Sequence, residues 1–146
     1  MTSKKKRRIF SRGEANALLP ELAQRLKRLQ HKKEIYRRMH DNLFMHELVC
    51  VAEKTHGFLD PQDDLETGIH ALEEAIEELA KDVEAIFATG AILRNIEKGH
   101  VDLPGELDGQ KIYFLWAMGD PQIRFYRLRG DAVNERREFP AQEVPQ

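Results

Sequence analysis

The sequence predicts an α+β protein: a long antiparallel helical hairpin with a small antiparallel β-hairpin module. Two observations carry that reading. Apolar residues recur at helical 3-4 spacing from Ala15 to Leu93, with one break of Gly and Pro near residue 59. Apolar and polar residues then alternate between turn residues in 99–128, and only there. The expected organisation is a single domain over 9–130, with the helical hairpin at 11–97 and the β-module at 99–128. The segments 1–8 and 131–146 are expected to be disordered tails.

The first helix begins at Phe10-Ser11-Arg12-Gly13-Glu14. Ser11 is the expected N-cap and Glu14, three positions on, completes a capping box. Pro20 is expected to stop or kink the helix near Leu19, because it has no N–H to donate. From Glu21 the pattern runs to about His56. Its stripe is Leu22, Leu26, Leu29, Tyr36, Leu43 and Cys50, interrupted by Lys33, His40 and Glu47. Gly57 suits a C-terminal cap, and Asp60-Pro61 suits the start of the second helix. That helix carries the seam Ile69, Leu72, Ile76, Leu79, Val83, Ile86, Gly90 and Leu93. A short loop makes the helices antiparallel neighbours. Folding at residue 59 would set Cys50 near Ile69, Leu43 near Ile76, Tyr36 near Val83 and Leu29 near Gly90. In the β-module, Lys111, Tyr113, Leu115 and Ala117 share one face of a strand. Ile112, Phe114, Trp116 and Met118 share the other. Gly119-Asp120-Pro121 makes the turn and 122–128 returns. A two-stranded hairpin is marginal alone, so its aromatic face needs the helices as cover.

Composition narrows the function. Of 146 residues, 41% are hydrophobic and 33% charged, which suits a globular chain rich in surface helix. No apolar run approaches a membrane span, and no signal core follows the basic N-terminus, so a cytoplasmic protein is expected. The single cysteine, Cys50, fits a reducing compartment. Charge is segregated: 13 Lys/Arg against 3 Asp/Glu in 1–40, 4 against 14 in 41–100, and 6 against 8 in 101–146. Basic residues from Lys27 to Arg38 would run beside acidic residues from Glu73 to Glu84, fixing register more than adding stability.

Two stretches together resemble a known bacterial family. One is Phe10-Ser11-Arg12-Gly13-Glu14-Ala15-Asn16-Ala17-Leu18-Leu19-Pro20. The other is Val101-Asp102-Leu103-Pro104, Gly109, Ile112-Tyr113-Phe114-Leu115-Trp116, Gly119-Asp120 and Phe125-Tyr126. They are similar to the family termed domain of unknown function 2203, over about 9–128. The resemblance implies a long helical hairpin with a small β-module and no established activity. This chain departs from the family pattern where Leu115 replaces a cysteine and Arg127 a histidine. It also carries Asn134-Glu135-Arg136-Arg137 where a Gly-Phe-x-Gly-Arg segment is usual. A site built on that Cys and His cannot operate here.

Several constellations are candidates for chemistry or contact. Glu53 and His56 have the i, i+3 spacing of di-metal carboxylate helices, and Glu66 and His70 face back from the second helix. Against a metal-dependent enzyme, the seam is aliphatic where carboxylate bundles need buried Glu. His46 and Cys50 are i, i+4, but two ligands make no zinc site. Cys50 reads as a small buried hydrophobe, and His40 as a polar interruption of the seam. Asp102 and Asp108 read as turn residues bonding backbone. Lys4, Lys5, Lys6, Arg7 and Arg8 could neutralise phosphates, with Arg124, Arg127 and Arg129 beside Phe125 and Tyr126 as support. The pI near 6.3 weighs against a dedicated nucleic-acid binder. Phe44, Leu48 and Val51 form a second apolar stripe that the hairpin does not use. The expectation is therefore a non-enzymatic interaction or scaffold protein, a homo-oligomer through that stripe, open to a protein partner, without cofactor or membrane. The alternatives are a nucleic-acid-binding accessory protein using the basic N-terminus, and a metal-dependent enzyme at the closed end of the hairpin.

Overall fold

The structure is a computed structural model that describes residues 8–56, 62–132 and 134–139. Two helices precede a five-stranded antiparallel sheet, so the α+β class holds. Contacts divide the chain into two compact units. Residues up to Lys27 join those from Val83 onward in a sheet unit, and Arg28–Asp82 form a helical unit.

Helix α1 runs Arg12–Thr55. Its capping box is as the sequence predicts. Ser11 N–H donates to Glu14 Oε1 at 2.8 Å, and Glu14 N–H donates to Ser11 Oγ at 3.1 Å. Pro20 does not stop the helix, which passes through it unbroken. An interior proline costs about 3 kcal/mol. Leu19 and Leu22, on either side, are both buried, and each such side chain contributes about 1.5–3 kcal/mol. Packing on both sides of the proline outweighs its local cost.

Helix α2 runs Gln62–Ala88, so the helical hairpin ends well before residue 97. Gly90, expected on the seam opposite Leu29, instead has φ +99° and terminates the helix. Leu93 therefore lies in strand β1 (Ile92–Asn95). The expected cap residues Gly57, Asp60 and Pro61 lie outside the described residues.

The sheet order is β1, β2 (His100–Leu107), β3 (Gln110–Ala117), β4 (Phe125–Leu128) and β5 (Arg137–Glu138). The tight hairpin joins β2 to β3 through Asp108-Gly109, with φ of 51° and 80°, as a two-residue loop requires. Asp108 is thus a turn residue as expected, whereas Asp102 is not: it sits within β2. The alternation read in β3 is present, with Ile112, Phe114 and Trp116 buried. The segment after residue 131 is no simple tail. Its β5 pairs with β4, and Phe139 lies 4.8 Å from the Tyr126 ring and 6.1 Å from Phe114.

The sheet unit's core is closed by residues far apart in sequence. Phe10 N–H donates to the Pro104 carbonyl at 2.7 Å, and Phe10 bridges Gly105 in parallel. β1 has ended at that level, so Pro104's missing donor removes no bond from the β1–β2 ladder. Ile123 N–H donates to Asn16 Oδ1 at 2.6 Å, and Arg12 donates to the Ile123 carbonyl at 3.1 Å. These bonds tie the start of α1 to the β3–β4 connection.

In the helical unit the register differs from expectation. Leu43 packs on Gly68 rather than Ile76, about two helical turns away. Lys32 pairs with Asp82 at 2.9 Å and Glu78 at 3.7 Å, and Arg28 reaches Asp82 at 4.0 Å. The charge pairing thus occurs for Arg28 and Lys32, while Arg37 pairs within α1, to Glu34 and Asp41. Half-buried positions on α2 include Leu65, Gly68, Leu72, Ala75, Leu79 and Asp82. Of the expected seam, Leu72, Leu79 and Val83 are half-buried and Ile86 is fully buried, but Ile69 and Ile76 are exposed. His40 is exposed beside Asp41, not inside the seam.

A side chain at Gly105 would collide with the Phe114 ring and approach the Phe10 carbonyl to 3.0 Å. Gly105→Ala should cost about 1–3 kcal/mol through overpacking, read as a lower urea midpoint with unchanged slope. At the helix start, the Ser11 backbone hydrogen bond, then its hydroxyl, hold the Glu14 carboxyl below the usual glutamate range. A pKa depressed on folding adds stability above the unfolded value and loses it as pH falls through the folded one. The stability gap between wild type and Glu14→Ala should therefore narrow as pH drops below about 4.3, checked by denaturant melts across that range.

Candidate functional site

Two surfaces stand out, one in each unit. In the helical unit, Phe44, Leu48 and Val51 are 54%, 49% and 60% exposed. Their 4-then-3 spacing keeps them on one face, as the sequence predicts. The structure widens the surface. Met45 and Val49, on the next strip of α1, are equally open, and so are Ile69 and Ile76 on α2. Sequence reading assigned both isoleucines to the seam and so did not count them. Cys50, on the opposite side of α1 from this stripe, is buried as expected.

The other predicted residues do not assemble. Glu53 is half-buried, while His56, Glu66 and His70 are exposed. His70 lies near Glu73 and Glu74, at 3.6 and 4.0 Å. Among the described residues no group of three or more His, Cys, Asp or Glu is placed to hold a metal ion. Of the basic run, Lys4, Lys5, Lys6 and Arg7 lie outside the described residues. Arg8 donates to the Thr89 carbonyl at 3.3 Å and stacks 4.3 Å from the Phe10 ring. There it neutralises the carbonyl end of α2.

In the sheet unit the unexpected feature is a buried ion cluster. Asp102 and Arg127 are 6% and 4% exposed. Asp102 Oδ2 accepts from Arg127 Nη2 at 2.8 Å, Arg127 Nη1 at 3.2 Å and Arg94 Nε at 2.8 Å. The strand register produces it. Asp102 on β2 stands opposite Leu115, and Arg127 on β4 opposite Tyr113. Leu115 and Tyr113 are two apart on β3, so all four share the face away from Phe114. The Arg127 side chain crosses β3 between them, its guanidinium 4.7 Å from the Tyr113 ring centre. Arg94 and Arg129 approach the same ring at 5.8 and 5.1 Å. Arg127 is therefore not an exposed cation of the kind that would support a nucleic-acid surface.

Above this cluster opens a cleft of about 370 Å³. Asp102, Arg127 and Leu115 line it with Arg94, His100, Trp116, Ala117 and Phe125, and Asp120 and 134–136 complete the wall. Arg136 stacks 4.9 Å from the Phe125 ring. The Trp116 indole donates to the Asp120 carbonyl at 2.9 Å, which holds the β3–β4 connection against the cleft. One signal in the sequence pointed here: a lone Asp in Val101-Asp102-Leu103 and a lone Arg in Tyr126-Arg127-Leu128, opposite in charge on strands flanking β3.

Removing one member of a buried ion pair leaves the other without a counter-charge, which costs about 3–5 kcal/mol. Asp102→Asn should destabilise by that order in urea melts. The double change Asp102→Leu with Arg127→Met should recover most of the loss.

No curated protein and no solved structure matches the chain. A family described as uncharacterized conserved protein DUF2203 matches residues 8–139, which takes in the capping box, both helices and all five strands. That span covers most of the sequence, and the chain belongs to the DUF2203 family.

Proposed function

We propose that the protein is a non-enzymatic interaction module that self-associates through the face of α1 bearing Phe44, Leu48 and Val51. The observation that carries this is the exposure of those three residues, each about half open or more, along one stripe. Magnitudes support a second copy covering more than the three. Fully burying a large apolar side chain gives about 1.5–3 kcal/mol, so covering half of one gives about 1 kcal/mol. Three residues from each of two copies give about 6 kcal/mol, close to the low end of the association cost of about 4–15 kcal/mol. Adding Met45 and Val49 raises the gain to about 10 kcal/mol, above the low end of that cost. A symmetric partner buries both stripes with one interface, and four helices then share one core. The single Cys50 fits a reducing, cytoplasmic setting for such an assembly.

Light scattering at micromolar concentration should give twice the 17.0 kDa chain mass. Replacing Leu48 and Val51 together by Lys should return the mass to one chain with helix content retained by circular dichroism. A wild-type mass of one chain overturns the reading.

A further inference from the structure

We propose that the cleft of the sheet unit binds a small organic anion: a carboxylate or phosphate monoester carried on a flat apolar body. Every residue of the cleft belongs to the sheet unit, so the inference is independent of self-association through the helices. Its floor sets two guanidinium groups around one carboxylate. Arg127 spends both terminal nitrogens on Asp102, while Arg94 spends only Nε. Arg94 makes no other hydrogen bond among the described residues, and its side chain is 42% exposed. Its two terminal nitrogens have the fork geometry that carboxylate and phosphate oxygens accept. The floor therefore carries one positive charge beyond what Asp102 neutralises, over buried side chains where charge is poorly screened.

The walls define the rest of the ligand. Arg136 lies over the Phe125 ring and supplies a second cation at the mouth. Phe125, Leu115 and the Trp116 segment give an apolar surface on which a planar group can lie. Asp120 and Glu135 also line the cleft, and they oppose a polyanion. That excludes nucleic acid and polyphosphate and leaves a singly or doubly charged group. A volume of about 370 Å³ is at the small end for ligand pockets, room for one ring and its anionic substituent. Buried charge at such a floor has a further rationale. A salt bridge that contributes little net stability has value where it holds an arginine ready for a ligand.

Trp116 is the single tryptophan of the chain; its segment borders this cleft and its indole is bonded to the carbonyl of Asp120 in the cleft wall, so its fluorescence reports on that wall. The full-length protein is titrated with benzoate, phenyl phosphate and, as a cationic control, benzylamine. Excitation is on the red edge of the indole band, where the probes do not absorb. The expected result is a saturable change with benzoate or phenyl phosphate and none with benzylamine. Binding should weaken at least about tenfold in Arg94→Gln or Arg136→Gln, since each removes charge-assisted hydrogen bonds to the anion. A single cooperative urea transition shows that the variants are folded, with a lower midpoint expected for Arg94→Gln because it removes a bond to the buried Asp102 carboxylate. A carboxylate preference and a phosphate preference both support the proposal and tell the two anions apart. No saturation by either anion up to tens of millimolar, an equal response to benzylamine, or unchanged binding in both variants overturns it.

Discussion

The closure of the sheet's apolar face is the constraint on which the sheet unit depends. β2 and β3 place Val101, Leu103, Ile112, Phe114 and Trp116 in a buried layer, and the strands cannot bury it themselves. The cover comes from almost a hundred residues upstream. Phe10 is bonded to Pro104, the Phe114 ring fills the space that Gly105 leaves open, and Asn16 holds the Ile123 amide. Each contact crosses from the start of α1 to the sheet. Loop closure over such a distance has an entropic cost that grows slowly with length, and a dense apolar core offsets it. Pro20 is carried inside α1 for the same reason. The residues flanking it are already committed to that core.

Once one face is closed, the period-two geometry of the strands decides what the other face carries. Asp102, Tyr113, Leu115, Phe125 and Arg127 all fall on it. The two strands next to β3 bring an acid and a base within reach across it, and the aromatic rings at 113 and 125 gather arginines around them. Leu115 and Arg127 both line this cleft beside Asp102, one as an apolar wall and the other as a buried, ion-paired charge.

Local signals were legible and long-range ones were not. The Ser11–Glu14 box and the burial alternation of β3 each depend on a few neighbouring residues, and each appears as read. Gly90 failed because an apolar repeat continues across it: Ile86, Leu93 and the glycine keep heptad spacing, yet the positive φ ends the helix and Leu93 changes element. Asp102 failed because Pro104 and Gly105 look like turn residues. Here the proline lies beyond the end of β1 with its carbonyl bonded to Phe10, and the glycine makes room for a ring, and both are tertiary reasons. The segment from 131 to 139 reads as polar, but its one aromatic, Phe139, is held between Arg12 and Tyr126, at 3.9 Å and 4.8 Å. Partners so distant leave no local pattern.

The helical unit shows how a correct repeat can be assigned to the wrong phase. Ile69 and Ile76 satisfy the heptad rule better than Gly68 and Ala75, and a rule that maximises buried volume selects them. The hairpin instead turns α2 so that the small residues face α1. Gly68 admits Leu43, and Asp82 meets Lys32 across the two helices. Lys32 and Arg28 reach Asp82 in that rotation, and such pairs help to fix register more than they stabilise. Ile69 and Ile76 remain exposed, while Gly68 and Ala75 are half-buried beside Leu65, Leu72 and Leu79. A pair of helices arranged in this way leaves its larger apolar residues available to another molecule, and the α1 stripe of Phe44, Leu48 and Val51 extends the same imbalance. Exposed apolar surface therefore stands on both helices of this unit.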